Sequence, residues 1–62
     1  MPSNRKLALY VVSHLIDGII KPSDAISLLD LDYYLTYCSI SHTVYPAYIK
    51  VHFSDRIELR VL

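Results

Sequence analysis

The chain has 62 residues, 53% of them hydrophobic, with six Lys and Arg balanced by six Asp and Glu and a single cysteine. That length holds one small domain, residues 1–62, which buries only about 60% of the surface its unfolded chain exposes and so calls for a staple. One cysteine excludes an internal disulfide, zero net charge argues against phosphate-driven nucleic-acid binding, and no stretch approaches the ~20 apolar residues of a membrane span.

Self-association, or docking on another protein, is the staple that remains, and the apolar excess points the same way. Charge is unevenly spread. Residues 22–49 contain no Lys or Arg but carry Asp24, Asp30 and Asp32, while the two ends are weakly basic. Arg5 and Lys6 precede an apolar run, yet no small-residue cleavage site follows, so a secretory signal is not expected. A lone thiol suits a reducing compartment, and the cytoplasm is the expected location.

The first predicted element is a long amphipathic helix. Ser3 or Asn4 suits its cap and Gly18 its left-handed end. Leu7, Ala8, Leu9, Val11, Val12, Leu15 and Ile16 form one arc of roughly 200°. An arc that wide belongs either to a deeply buried helix or to one whose outer margin packs on a second protein. Ile19, Ile20 and Lys21 read as a connector. Pro22-Ser23-Asp24 reads as the start of a short second helix, with Ala25, Ile26, Leu28 and Leu29 inward and an end near Asp30-Leu31-Asp32.

Residues 32–40 favour strand by propensity, through Tyr33, Tyr34, Thr36, Tyr37 and Ile40, with a helix capped by Asp32 as the alternative. Ser41-His42-Thr43 reads as a loop, and Pro46 bars 44–47 from a central strand. Residues 48–62 then alternate twice. Ile49, Val51 and Phe53 share one face, and Ile57, Leu59 and Val61 share another after a break at Ser54-Asp55. Two alternating runs across a short polar turn predict an antiparallel hairpin, whose uncovered edge offers a route to edge-to-edge dimers.

Four constellations bear on function. The run 22–35 resembles the opening of small excisionase-like regulators, in which a short helix with an inward alanine and a leucine pair precedes a turn and a recognition helix. That resemblance implies a winged helix-turn-helix DNA binder with the hairpin as its wing. However, the segment in the recognition position, 33–40, has no Arg, Lys, Asn or Gln to read base edges. Cys38 and His42 have helical spacing, but a zinc site needs three or four ligands and no cofactor or metal is expected. Ser, His and Asp are present without a nucleophile signature, and Gly18 is the only glycine, so no phosphate cradle exists. Glu58, the sole glutamate, falls between Arg56 and Arg60 as a surface charge.

The fourth is a cluster of five tyrosines within sixteen residues: Tyr33, Tyr34, Tyr37, Tyr45 and Tyr48. Tyrosine is enriched at protein interfaces because it buries a large ring while its hydroxyl stays wet. Base stacking is the rival use, and it needs a basic groove alongside.

These readings converge on an α+β fold: a long amphipathic N-terminal helix, a short second helix, then a C-terminal antiparallel hairpin of two or three strands packed on the helices. The expected core is Leu7, Val11, Leu15, Ala25, Leu28, Ile49, Val51, Phe53, Ile57, Leu59 and Val61. The expected function is non-enzymatic: a protein-binding regulator, inhibitor or adaptor that forms homodimers and acts through the five tyrosines and the outer margin of the first helix. Nucleic acid and membrane are not expected as partners; the alternative is the winged helix-turn-helix DNA binder.

Overall fold

A computed structural model of the chain describes residues 2–52 and 59–61. It is a small α+β fold in the order α1 (Asn4–His14), β1 (Ile19–Ile20), α2 (Leu28–Tyr37), β2 (His42–Val44) and β3 (Ile49–Val51). The strands form one antiparallel sheet in the order β1-β3-β2, and both helices pack against it.

Helix α1 starts where its cap predicts. Ser3 is extended, and its hydroxyl accepts the Lys6 amide at 3.2 Å, satisfying one of the free N–H groups of the first turn. The helix stops at His14, four residues short of Gly18. The reason is a tight turn at 16–19, where Ile16 and Ile19 exchange both backbone hydrogen bonds at 3.1 and 2.7 Å. Its central residues, Asp17 at φ 49° and Gly18 at φ 80°, are both left-handed. That is the Asp-Gly hairpin turn, and it directs Ile19 and Ile20 into β1, not into a connector.

The second helix begins later and runs further than its sequence start signal indicates. Ser23 is used in a turn, its hydroxyl accepting the amides of Ala25 and Ile26 at 3.2 and 3.1 Å. The true cap is Ser27. Its side chain accepts from the Asp30 amide at 3.1 Å, while the Asp30 carboxylate accepts from the Ser27 amide at 3.0 Å. From there the helix carries through most of the 32–40 stretch expected as strand. Leu31, Tyr34, Leu35 and Cys38 are all buried, and their i, i+3, i+4, i+7 spacing is a helical face that overrides local β propensity. The helix ends with Ser39 left-handed at φ 58°. Ser39 donates to Thr36 and Ile40 to Leu35, the two closing bonds of a Schellman end.

The C-terminal hairpin is β2–β3. Thr43 pairs with Lys50 and Val44 with Ile49, and the Tyr45 amide donates to Tyr48 across Pro46-Ala47. Pro46 therefore sits in the turn, where its fixed φ fits. Strand β3 is central, because β1 takes its other edge through Ile19↔Lys50 and Ile20↔Ile49. Both edges of 49–51 are thus occupied by β1 and β2, in place of the pairing with 56–61 expected from alternation. Residues 53–58, with Phe53 and Ile57, lie outside the described residues. Among the described residues the outer strands of the sheet are β1, which makes one further bridge to Ile16, and β2.

The core joins Leu7, Ala8 and Val11 of α1, Ile20, Ile26, the buried face of α2, Ile40, and Ile49 with Val51. Leu15, Leu28 and Leu59 are only partly buried against it. Ala25 is exposed and Val61 is half exposed, so neither belongs to the expected core. The sheet contributes one face only: Ile49 and Val51 point inward and Lys50 outward.

Candidate interaction surface

The five tyrosines do not form one surface. Tyr34 is fully buried, and its hydroxyl donates to the Arg60 carbonyl at 3.1 Å. It is a core residue that ties the C-terminal segment to α2, which corrects its place among the surface candidates. The Arg60 amide in turn donates to the Cys38 thiol sulfur at 3.4 Å. Burial first, and then the neighbouring Cys38 side chain, push the Tyr34 phenol well above its ordinary value, against the lowering effect of the Arg60 carbonyl. Tyr37 leans on the same core with its ring 6.5 Å from that of Tyr34, while Tyr33 is exposed on α2.

Tyr45 and Tyr48 are brought together. Their rings stack at 4.9 Å with 23° between the planes, flanking the β2–β3 turn. They lie on the outward face of the sheet, two residues from Thr43 and Lys50 respectively. Register places Ile16, Ile19, Lys50 and Thr43 in one row across that face. In the next row His52 sits between two hydroxyls, with Ser41 at 3.1 Å from Nδ1 and Thr43 at 2.9 Å from Nε2. Ile16 and Lys50 are exposed, and none of the described helices packs over this face.

A second group went unread in the sequence because Tyr10 and His14 look like polar-side residues of α1. Their rings stack at 4.0 Å, the His14 Nδ1 donates to the Tyr10 carbonyl at 3.0 Å, and the Tyr10 hydroxyl donates to the Lys21 carbonyl at 2.5 Å. Their i, i+4 spacing was the available signal. This pair, with Ile16, Asp17, Ile19 and Lys21, borders an open groove of about 640 Å³.

Helix α1 divides its wide apolar arc. Leu7, Ala8 and Val11 are buried, whereas Leu9 and Val12 remain 63% and 65% exposed. Beside them Arg5, Ala8, Leu9, Val12 and Val61 line a crevice of about 500 Å³.

Of the candidate metal pair, Cys38 is buried at the end of α2, where its sulfur accepts the Arg60 amide. His42 instead joins β2 to α2: its Nδ1 donates to the Ile40 carbonyl at 2.7 Å and its Nε2 to the Asp32 carboxylate at 2.6 Å. Among the described residues no three His, Cys, Asp or Glu side chains gather as a metal site, and no helix is long and apolar enough to cross a membrane. No family model, no curated protein and no solved structure matches the chain.

Proposed function

We propose that this chain is a small non-enzymatic protein-binding module, a regulator, inhibitor or adaptor, that also self-associates. The observation that carries the reading is the stacked Tyr45–Tyr48 pair on the outward sheet face, on which Ile16 and Lys50 are exposed. Rigid aromatic rings with wet hydroxyls, flanked by apolar and charged groups, are the composition of a protein contact. His52 and Ser41 are exposed on this face, away from the enclosed, desolvated setting that nucleophile activation needs.

The test is capture from the source extract with the purified protein and with its Tyr45→Ala/Tyr48→Ala variant, after circular dichroism shows that the variant is folded. The reading expects a specific protein retained by the parent and lost from the variant. Equal capture by both removes the tyrosine face from the reading.

A second reading is the winged helix-turn-helix DNA binder, favoured by one feature: the β2–β3 hairpin follows α2 directly, as a wing would. Against it, only one helix forms within 22–35. The helix in the recognition position carries Asp30 and Asp32 and no cation, which repels phosphate. Binding to duplex DNA at low salt that falls away steeply as salt rises would favour this second reading; no binding at low salt removes it.

A further inference from the structure

We infer that the outward sheet face takes an extended acidic segment of another protein, two carboxylates of which, at alternate positions, meet Lys21 and Lys50 on either side of Tyr48. This inference rests on the protein-binding reading above and names the chemistry of the partner.

Register brings two lysines together. Ile19 pairs with Lys50 and Ile20 with Ile49. Ile20 is fully buried, so alternation turns Ile19 and Lys21 to the outward side, the side of Lys50. One step further along the same register sets Lys21 beside Tyr48. Lys21 and Lys50 are then diagonal neighbours on adjacent strands, about 7–8 Å apart. Same-side residues of an extended chain repeat at about 7 Å. Carboxylates at positions i and i+2 of such a chain therefore reach both ammonium groups at once.

Charge gives the occupant its sign. Lys21 and Lys50 are exposed, and neither joins an ion pair among the described residues. Residues 18–21 and 41–52, which build the sheet and its hairpin turn, contain no Asp or Glu. Of the described acids, Asp30 and Asp32 belong to α2, Asp24 precedes it, and Asp17 lies in the turn before β1. The occupant's apolar part has a place as well. The groove of about 640 Å³ that Lys21 borders is lined by Ile16, 69% exposed, by Ile19 and by the stacked Tyr10–His14 rings. An apolar residue next to the acidic pair fits there. A nucleic-acid strand also brings anions, but the chain has no net positive charge and Asp17 stands at the groove. Two carboxylates suit two lysines better than a continuous polyanion does.

The experiment titrates the whole chain with the synthetic peptide acetyl-Gly-Ser-Glu-Thr-Glu-Leu-Phe-Gly-amide at low salt and follows ¹H–¹⁵N correlation spectra. Shifts at the amides of Lys21, Tyr48 and Lys50 are expected, with a dissociation constant on the order of 100 µM. The same peptide with glutamine in place of both glutamates is expected to bind about tenfold more weakly or worse. Lys21→Glu/Lys50→Glu is expected to lose the acidic peptide and to gain the peptide with lysine in place of both glutamates. Both side chains are exposed, so the thermal unfolding curve should stay in place. Should that variant not fold, Lys21→Gln/Lys50→Gln carries the same test and is expected to weaken the acidic peptide by about tenfold. No binding of the acidic peptide, equal binding of its glutamine form, or indifference to the loss of both lysines overturns the inference. A uridine oligonucleotide that shifts the same amides more tightly than the peptide overturns it in favour of nucleic acid. Failure of the peptide leaves the tyrosine-face reading standing, since the extract capture tests that separately.

Discussion

His42 on β2 and Asp32 on α2 meet at 2.6 Å, the one ion pair among the described residues. Both ring nitrogens of His42 face acceptors, Nδ1 the Ile40 carbonyl and Nε2 the Asp32 carboxylate. The pair fastens the end of the sheet to α2, which contacts both β2 and β3. His42→Ala removes both bonds and the ring from a site that is 9% exposed at the side chain, and should lower stability by about 2 kcal/mol. Asp32→Asn, at the more exposed partner, should cost less. Urea unfolding of the two variants measures the order; an Asp32→Asn loss as large as that of His42→Ala contradicts it.

Ser39 holds a left-handed conformation that a glycine adopts without strain, and its side chain makes no hydrogen bond among the described residues. Ser39→Gly should therefore raise stability by about 1 kcal/mol, despite the extra freedom glycine gives the unfolded chain. A shift of the urea midpoint to higher concentration at unchanged slope is the expected result.

Gly18 presents the opposite case. At φ 80° beside Asp17 it completes the turn that starts β1, and its carbonyl accepts the Val51 amide. Gly18→Ala should destabilise by about 1–2 kcal/mol. Because β1 supplies one edge of β3, amide exchange at Val51 should accelerate in this variant more than exchange within α2.

Tyr34 makes an alkaline prediction. Below the ordinary phenol value both folded and unfolded chains keep its proton, and the group adds no pH dependence. Above that value the unfolded chain loses the proton while the folded chain holds it, so stability must fall as pH rises through and beyond about 10. At about pH 11, Tyr34→Phe should leave the phenolate absorbance of the folded protein unchanged and remove one of six contributions from the denatured protein. A loss of folded-state absorbance in that variant would show that Tyr34 ionises in place.

The sequence made visible what short-range rules control. Ser3 as a cap, the buried stripe Leu7–Val11, inward Ile49 and Val51, and Pro46 in a turn are all local patterns that tertiary packing left alone. The misread segments are those where two local signals competed. Pro22-Ser23-Asp24 offered a helix start as good as Ser27 with Asp30, and only the burial of Ile26 between them shows which is used. β-branched and aromatic residues in 32–40 outweighed the i, i+3, i+4, i+7 spacing of Leu31, Tyr34, Leu35 and Cys38. Gly18 carries the signal of a left-handed helix end, but with Asp17, also left-handed, it makes a hairpin turn.

For the interaction surface, counting tyrosines was informative but coarse. Proximity in sequence placed Tyr34 with its neighbours, although one helical turn separates a core residue from exposed Tyr33. The pairing of Tyr45 with Tyr48 needed the hairpin register. The exposure of Leu9 and Val12 needed the knowledge that the core takes up only part of the α1 arc, through Leu7, Ala8, Val11 and Leu15.

The most direct test of this account is a pair of ¹H–¹⁵N correlation spectra, recorded with and without the captured protein partner. The account predicts that amides of Tyr45, Tyr48 and Lys50 move when the partner is added, while those of Leu31 and Leu35 in the buried face of α2 stay fixed. Shifts centred on α1 or α2, with Tyr45, Tyr48 and Lys50 silent, would contradict it, because the tyrosine face would then not be the contact.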